Sequence, residues 1–342
     1  MNKDIKEMCK IVELQEIKAE EWERLINESP VASWFQTYEA YSFFDSLSFL
    51  KAFALGVESD GCLKGVIVGY IQQDGGTFKR FFTRRAIING GPLLAKDIKK
   101  EELSMLLSAL KNKMKSKAIY VEFRNYNDYS QWRADFEENG FAYNPHYDVH
   151  VDTPNLETVN SGLNRNRKRN IKKSLENGLT IDNHAGENEL KIFYGQLEKL
   201  YKEKVKTPLY PYEFFEKLYH LPSSRFFVAK EKEGNVIGGM ICVALEGKIL
   251  YAWYACGEDE EYKILSPSVM VNYASICHAA ENNFHTYDFM GAGRPDDGGY
   301  GVRDFKLKFG GKLLELGRFD YICNPMLYSL GKWVVSLMKK MK

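Results

Sequence analysis

Three apolar segments in close succession, FFVAKE, VIGGMICVAL and KILYAWYAC, constrain this chain more than any other feature. Each is rich in β-branched or aromatic residues and is bounded by turn formers, so together they predict a meander of three strands. Ser266-Pro267 then sets an N-cap before a proline at the first helical position. The helix it opens carries Val269, Met270, Tyr273, Ile276, Cys277 and Ala280 on one face. HTYDFMGAG follows as a strand running into glycines. A meander, a helix and a further strand cannot bury their apolar faces except as a sheet covered by helices.

The first part of the chain is built in the same style. Glu20 to Ser29 predicts a short helix, and KAFALGVES and LKGVIVGYIQQ predict two strands hinged by Asp60-Gly61. FKRFFTRRAIINGGPLL is a third strand, broken by Gly90-Gly91-Pro92. Lys99 to Ser116 has helical period, AIYVEFR is a strand, Tyr129 to Asn139 is a helix stopped by Gly140, and YDVHVDT is a strand. Downstream, Leu156 to Asn177 and Glu187 to Val205 predict two long helices, and YEFFEKLY a short one. GKLLELGRFDYI is the last strand. At 342 residues the chain can hold two cores. The expected organisation is α/β (α+β): a first domain over 1–150 and a second over 151–322. Residues 323–342 form a C-terminal amphipathic helix packing back on the first domain. That helix combines an apolar stripe with Lys332, Lys339, Lys340 and Lys342, a pattern shared with helices that lie on membranes.

The formal net charge is +1, which excludes a general nucleic-acid coat protein and gives no reason to expect DNA as a partner. Yet NRNRKRNIKKS, Asn164 to Ser174, gathers Arg165, Arg167, Lys168, Arg169, Lys172 and Lys173 within about three helical turns without one acid. A solvated helix face is the ordinary reading of such a run. Here the cations repel one another, and the planar fork of arginine suits bidentate phosphate contacts. The stretch is therefore expected to meet a phosphate-bearing ligand. The six cysteines are scattered without a CxxC pair and are expected to be reduced thiols, and no signal-like or membrane-spanning apolar run is evident. A cytoplasmic protein is expected.

For chemistry, the chain has neither a GxSxG elbow nor a Cys–His pairing. His146 and His150 lie four apart on a strand with no third ligand in view, so neither metal nor cofactor is expected. In DFMGAGRPDDGGYGVRDFKLKFGG, glycines at 291, 293, 298, 299 and 301 would let backbone approach a ligand, and Lys306 follows in a short helix between Phe305 and Phe309. A surface lysine is the plain alternative. The strand–loop–helix–strand order from Lys248 to Asn283 is similar to that of a GNAT acyltransferase core. In acyl-CoA users the loop after the strand binds pyrophosphate at the helix N-terminus. Here it reads Gly257-Glu258-Asp259-Glu260-Glu261, and four consecutive carboxylates repel a pyrophosphate.

The basic helix ending in IKKSLENGL, GKILYAWYACG, YDFMGAG, and DFKLKFGG followed by a strand and Asn324-Pro325 together resemble the Fem family of non-ribosomal aminoacyltransferases. The resemblance is firmest from about Arg165 to Pro325. It implies two tandem GNAT-like domains with mixed sheets flanked by helices. It also implies transfer of an amino acid from aminoacyl-tRNA to an amine of a peptidoglycan precursor, with peripheral membrane contact as one option. By the same resemblance, Arg167 and Arg169 contact precursor phosphates with Arg165 and Lys172 nearby, Gly291 and Gly293 line the site, Tyr254 lies in the peptide cleft, and Lys306 meets the tRNA end or the developing charge. The chain departs from the family where Ser42 stands in place of a lysine that binds the nucleotide-linked precursor. Two other readings stay open: an N-acyltransferase using acyl-CoA, and a non-catalytic binding protein for an anionic envelope precursor.

Overall fold

The computed structural model describes residues 9–72, 84–297 and 301–331. His146–Glu315 forms one unit, and the chain before and after it forms the other. The first contains β1 (Cys9–Glu13), α1 (Ala19–Glu28), α2 (Tyr38–Ser46), β2 (Leu50–Ser59), β3 (Cys62–Gln72), β4 (Arg85–Asn89), β5 (Leu93–Leu94), α3 (Lys100–Met114), β6 (Tyr120–Arg124), α4 (Arg133–Glu138) and β7 (Ala142–Asn144). The second contains β8 (Tyr147–Asp152), α5 (Leu156–Gly162), α6 (Arg165–Glu176), β9 (Thr180–Asp182), α7 (Glu187–Leu200), α8 (Tyr212–Tyr219), β10 (Ser224–Lys230), β11 (Val236–Leu245), β12 (Ile249–Gly257), α9 (Pro267–Glu281), β13 (Thr286–Asp288), α10 (Gly301–Leu307) and β14 (Lys312–Glu315). β15 (Arg318–Ile322) returns to the first unit.

The two sheets share a plan that residue identity does not reveal. The first runs β1-β2-β3-β4-β6-β15-β7, with β5 against β3, and the second runs β14-β8-β13-β12-β11-β10-β9. Each holds one parallel pair, β4 with β6 and β12 with β13. Parallel neighbours need a crossover long enough to return the chain to the same end, and α3 and α9 are those crossovers. α3 buries Leu103, Leu106, Leu107, Leu110 and Met114, and α9 buries Val269, Met270, Val271, Ile276 and Ala279. Full burial of one such aliphatic side chain contributes about 1.5–3 kcal/mol. These stripes therefore fix the helices to the sheets.

Several elements differ from their sequence expectation. GKLLELGRFDYI is not one strand: β14 pairs with β8 in the second sheet, whereas β15 inserts between β6 and β7 in the first. Gly317 makes the turn between them at φ +68°, where an added Cβ would lie 2.1 Å from the Tyr143 ring. β8, expected to close the first domain, belongs to the second unit. The helix expected over Leu156 to Asn177 is two, because the Asn164 side chain accepts from the Asn166 amide at 2.7 Å and starts α6 afresh. α7 ends in a π-type turn, Tyr201–Val205, closed by Lys206 at φ +57°. β1 gave no readable signal.

The helix after Asn324 starts where expected, with the Asn324 side chain accepting from the Leu327 amide at 3.0 Å. The Tyr328 ring meets Tyr120 of β6 edge-on at 5.6 Å. The rest of its stripe, from residue 332 onward, lies outside the described residues, as do Gly298 and Gly299. Among the described residues no helix is long and apolar enough to cross a membrane.

Candidate active site

The second sheet opens at its parallel pair. β12 follows β13 only from Ile249 to Tyr251, where Tyr251 faces Asp288, and then continues to Gly257 while β13 ends. On its other side β12 bulges: Tyr254 faces Ile241 and Ala252 faces Cys242, leaving Trp253 as the extra residue. A bulge re-aims the side chains beside it. Tyr254 is thereby packed among Phe215 at 4.9 Å, Phe214 at 5.8 Å and Tyr201 at 6.3 Å, half-buried three residues past the last pair of β12 with β13.

Beyond β13 the chain forms a bracket, residues 289–292, in which every backbone polar group has a partner. The amides of Phe289 and Ala292 donate to the carbonyls of Val149 and Tyr147, at 3.0 and 2.7 Å. The Met290 amide donates to Asp288 Oδ1 at 2.6 Å and the Gly291 amide to Asp148 Oδ1 at 2.9 Å. Lys306 Nζ donates to the carbonyls of Phe289, Met290 and Gly291, at 2.7, 3.0 and 2.6 Å. Arg303 Nε takes the Ala292 carbonyl at 2.9 Å. Met290 and Gly291 both have left-handed φ, +55° and +74°, and this full set of bonds is what holds Met290 there.

The bracket corrects two expectations. Lys306 does not stand free at a cleft edge: its three donors are all engaged. Burial lowers its pKa, against the pull of Asp148 and Asp288. The Gly291 amide is not open to a ligand, since Asp148 holds it. Gly293, at φ +79°, lends its carbonyl to the Tyr147 amide at 2.8 Å.

Asp148 and Asp288 were not legible as site residues. They sit with His150 on one face of the β8–β13 pair, His150 directly opposite Asp288 and Asp148 two residues earlier. The alternation D-x-H in YDVHVD was visible, but not the strand beside it. Asp148 is raised to about 8 by burial and then by Asp288. Burial opposes charge on His150, but Asp288, Asp148 and Asp152 outweigh it and raise it to about 9. His146 takes no part in this cluster.

The basic helix α6 sorts its cations by face. Arg165, Lys168, Arg169, Lys172 and Lys173 are exposed on one side, while Arg167, Ile171 and Ser174 are buried on the other. Arg167 therefore does not belong to the exposed set. Its guanidinium lies 4.1 Å over the Phe305 ring and 4.7 Å from that of Phe309, and Nη2 donates to the Phe305 carbonyl at 3.1 Å. Burial pushes it down to about 10, with Asp259 opposing. Lys172 has an acid at i+4, Glu176 at 3.7 Å. Arg165 and Arg169 have no ionic partner among the described residues.

At the far end of β12, Asp259 Oδ1 accepts from the Ser268 amide at 3.1 Å, in the first turn of α9. Its own carboxylate fills the anion position at that helix N-terminus. Gly257 abuts the same turn: a Cβ there would meet the Ser268 amide nitrogen at 2.4 Å. The adjoining cavity of about 480 Å³ is lined by Glu203, Glu258, Asp259, Glu260 and Glu261 against Lys199 and Lys204. Lys204 is already bound to Glu260 at 2.5 Å. Asp259 is thus packed into the helix start, while Glu260 and Glu261 stay exposed beside it.

Known proteins resemble this chain in sequence and in fold. Residues 162–306 match the model of the acetyltransferase (GNAT) domain. The chain is 32% identical over 119 residues to a lipid II:glycine glycyltransferase of Staphylococcus haemolyticus, covering 34% of this chain and 28% of that protein. It is 28% identical over 202 residues to the enzyme of that name from Staphylococcus epidermidis, covering 55% and 41%. The matches thus span less than half the length of these relatives. In three dimensions FemX superimposes with a TM-score of 0.72 at 17% identity, over 94% of this chain and 99% of that one. With two units of one plan, a GNAT-matched stretch in the second unit and these relatives, the chain has a tandem GNAT-like fold and is similar in sequence to glycyltransferases of the Fem type.

Proposed function

We propose that this protein is an aminoacyltransferase that moves an activated amino acid from aminoacyl-tRNA onto an amine of a peptidoglycan precursor on the cytoplasmic side of the membrane. The amine attacks the ester carbonyl, a C–N bond forms, the ester C–O bond breaks, and the ribose oxygen leaves with the proton the amine gives up. This requires two oriented substrates, donors for the tetrahedral oxyanion and a route for that proton. The stretch of β12 beyond Tyr251, where its pairing with β13 ends, is where the acyl group is received. Tyr254, beside that edge, relays the proton. Lys306 acts by holding the bracket 289–292 that follows β13. Arg165, Arg169 and Lys172, with Lys168 and Lys173, form an exposed cationic face about 12 Å long, which suits a chain of phosphates better than a single diphosphate.

The observation that carries this reading is the Asp259 carboxylate at the α9 N-terminus, in an acyltransferase fold. A GNAT fold with that position taken is suited to an acyl donor other than coenzyme A. The relatives named for glycyl transfer to lipid II support the choice of acceptor. The test is incubation of the protein with radiolabelled glycyl-tRNA or acetyl-CoA, each with lipid II or its nucleotide-linked precursor. Label passing from tRNA to precursor is expected; label passing only from acetyl-CoA would overturn the proposal.

A further inference from the structure

We propose that Asp148, His150 and Asp288 form a binding site for one divalent transition-metal cation, Zn²⁺ being the best match. The three lie on one face of two paired strands, His150 and Asp288 as direct partners across the pair and Asp148 at the next same-face position on β8. One ligand atom from each lies within 4.8 Å of the other two. His150 Nε2 and Asp288 Oδ2 are 3.3 Å apart. That matches the edge of a tetrahedron around an ion with ligands at roughly 2.0–2.1 Å, which is about 3.4 Å.

A second observation is independent of this clustering. His150 Nε2 and Asp288 Oδ2 are both buried and, apart from facing each other as an ion pair at that short separation, have no hydrogen-bond partner. Asp288 is fully buried. Buried polar atoms are nearly always fully satisfied, and a cation bound between these two would give each the further partner it lacks. One oxygen of each carboxylate is already committed. Asp148 Oδ1 accepts from the amides of Val149 and Gly291, at 2.7 and 2.9 Å, and Asp288 Oδ1 from that of Met290. Outer bonds of this kind orient metal ligands. Imidazole with two carboxylates favours Zn²⁺ or a neighbouring first-row ion over Mg²⁺ and Ca²⁺, which prefer oxygen alone. The Lys306 ammonium is fastened to three carbonyls and does not enter the ligand set. An ion here would tie β8 to β13 beneath the bracket 289–292, whatever reaction the protein performs.

The experiment uses the full chain, stripped with EDTA, dialysed, and then offered Zn²⁺, or Co²⁺ as a spectroscopic probe. Wild type is expected to retain about one equivalent of zinc by elemental analysis. Its thermal midpoint should rise by about 5 °C at a hundredfold excess over the dissociation constant. Co²⁺ should give the intense visible absorption of a four-coordinate site. Asp148→Asn and His150→Gln, which keep volume, should each lose the zinc and the rise in midpoint, while His146→Gln keeps both. Wild type that retains no zinc overturns the proposal, because the cluster then balances by protons alone. Retention unchanged in both Asp148→Asn and His150→Gln overturns it too, since the metal would sit elsewhere. If one variant fails to fold, the other and the wild-type metal content still decide.

Discussion

Lys306 binds three carbonyls at once, so its removal has a structural cost that a surface lysine would not carry. Lys306→Met keeps the stem but strands buried acceptors, each costing about 1–3 kcal/mol. We expect a loss of about 3 kcal/mol in urea unfolding. Turnover should fall at least a hundredfold even under conditions where the variant is fully folded. Lys308→Met, at an exposed position, should change neither. An equal, mild effect of both substitutions would remove Lys306 from the site. Arg167 and Arg169 invite a similar contrast, since two residues of one helix separate a buried, ring-stacked guanidinium from an exposed one. Arg167→Glu places a carboxylate against Phe305 and Phe309 and should destabilise by about 3 kcal/mol or more. Arg169→Glu should stay within about 0.5 kcal/mol of wild type. If both unfold at the wild-type midpoint, the buried position of Arg167 is wrong.

At the scale of the element, α6 and α9 present opposite charge to a ligand. α6 exposes five cations, and its effect should be additive and screened by salt. Converting Arg165, Arg169 and Lys172 to Gln together should weaken RNA binding and flatten the slope of log K against log salt by about 2 to 3. An unchanged slope would mean that α6 is only a solvated face. α9 has its N-terminus capped by Asp259, so isothermal titration of coenzyme A should give no low-micromolar binding. A tight, stoichiometric isotherm would restore the acyl-CoA reading. Asp259→Ala should cost about 1 kcal/mol for the lost cap.

For the whole molecule, the exchange of β15 into the first sheet has a sharp consequence. Phe319 is stacked on Phe136 at 4.2 Å in a core that also holds Phe123 and Phe141. Ending the chain at Glu315 would leave β6 and β7 without the strand that joins them. Such a chain should lose the calorimetric transition of the first unit, and Phe319→Ala should destabilise that unit by about 3–5 kcal/mol. Retention of a full wild-type transition by the truncated chain would show that the strand is dispensable.

Sequence alone determined what depends on neighbours a few residues apart. The β10–β12 meander and the stripes of α3 and α9 are written in local period and appear in the structure, and α9 starts at Pro267 as expected, but the Ser266 side chain does not cap it; Asp259 takes the Ser268 amide instead. The Fem resemblance rested on the same local segments. The acids at 258–261 were legible as a charge, but not as a carboxylate folded back onto its own helix. What tertiary structure decided is which strand lies beside which. Asp148 and Asp288 are 140 positions apart in the chain and meet only because β8 pairs with β13. The splitting of GKLLELGRFDYI between two sheets follows from the same kind of choice. So does Arg167, whose burial depends on aromatic rings arriving from α10 and the turn after it. Local pattern specifies which face of an element is apolar. It does not encode the long-range pairing that tells an amide or an ammonium whether its partner will be a ligand or the protein's own backbone.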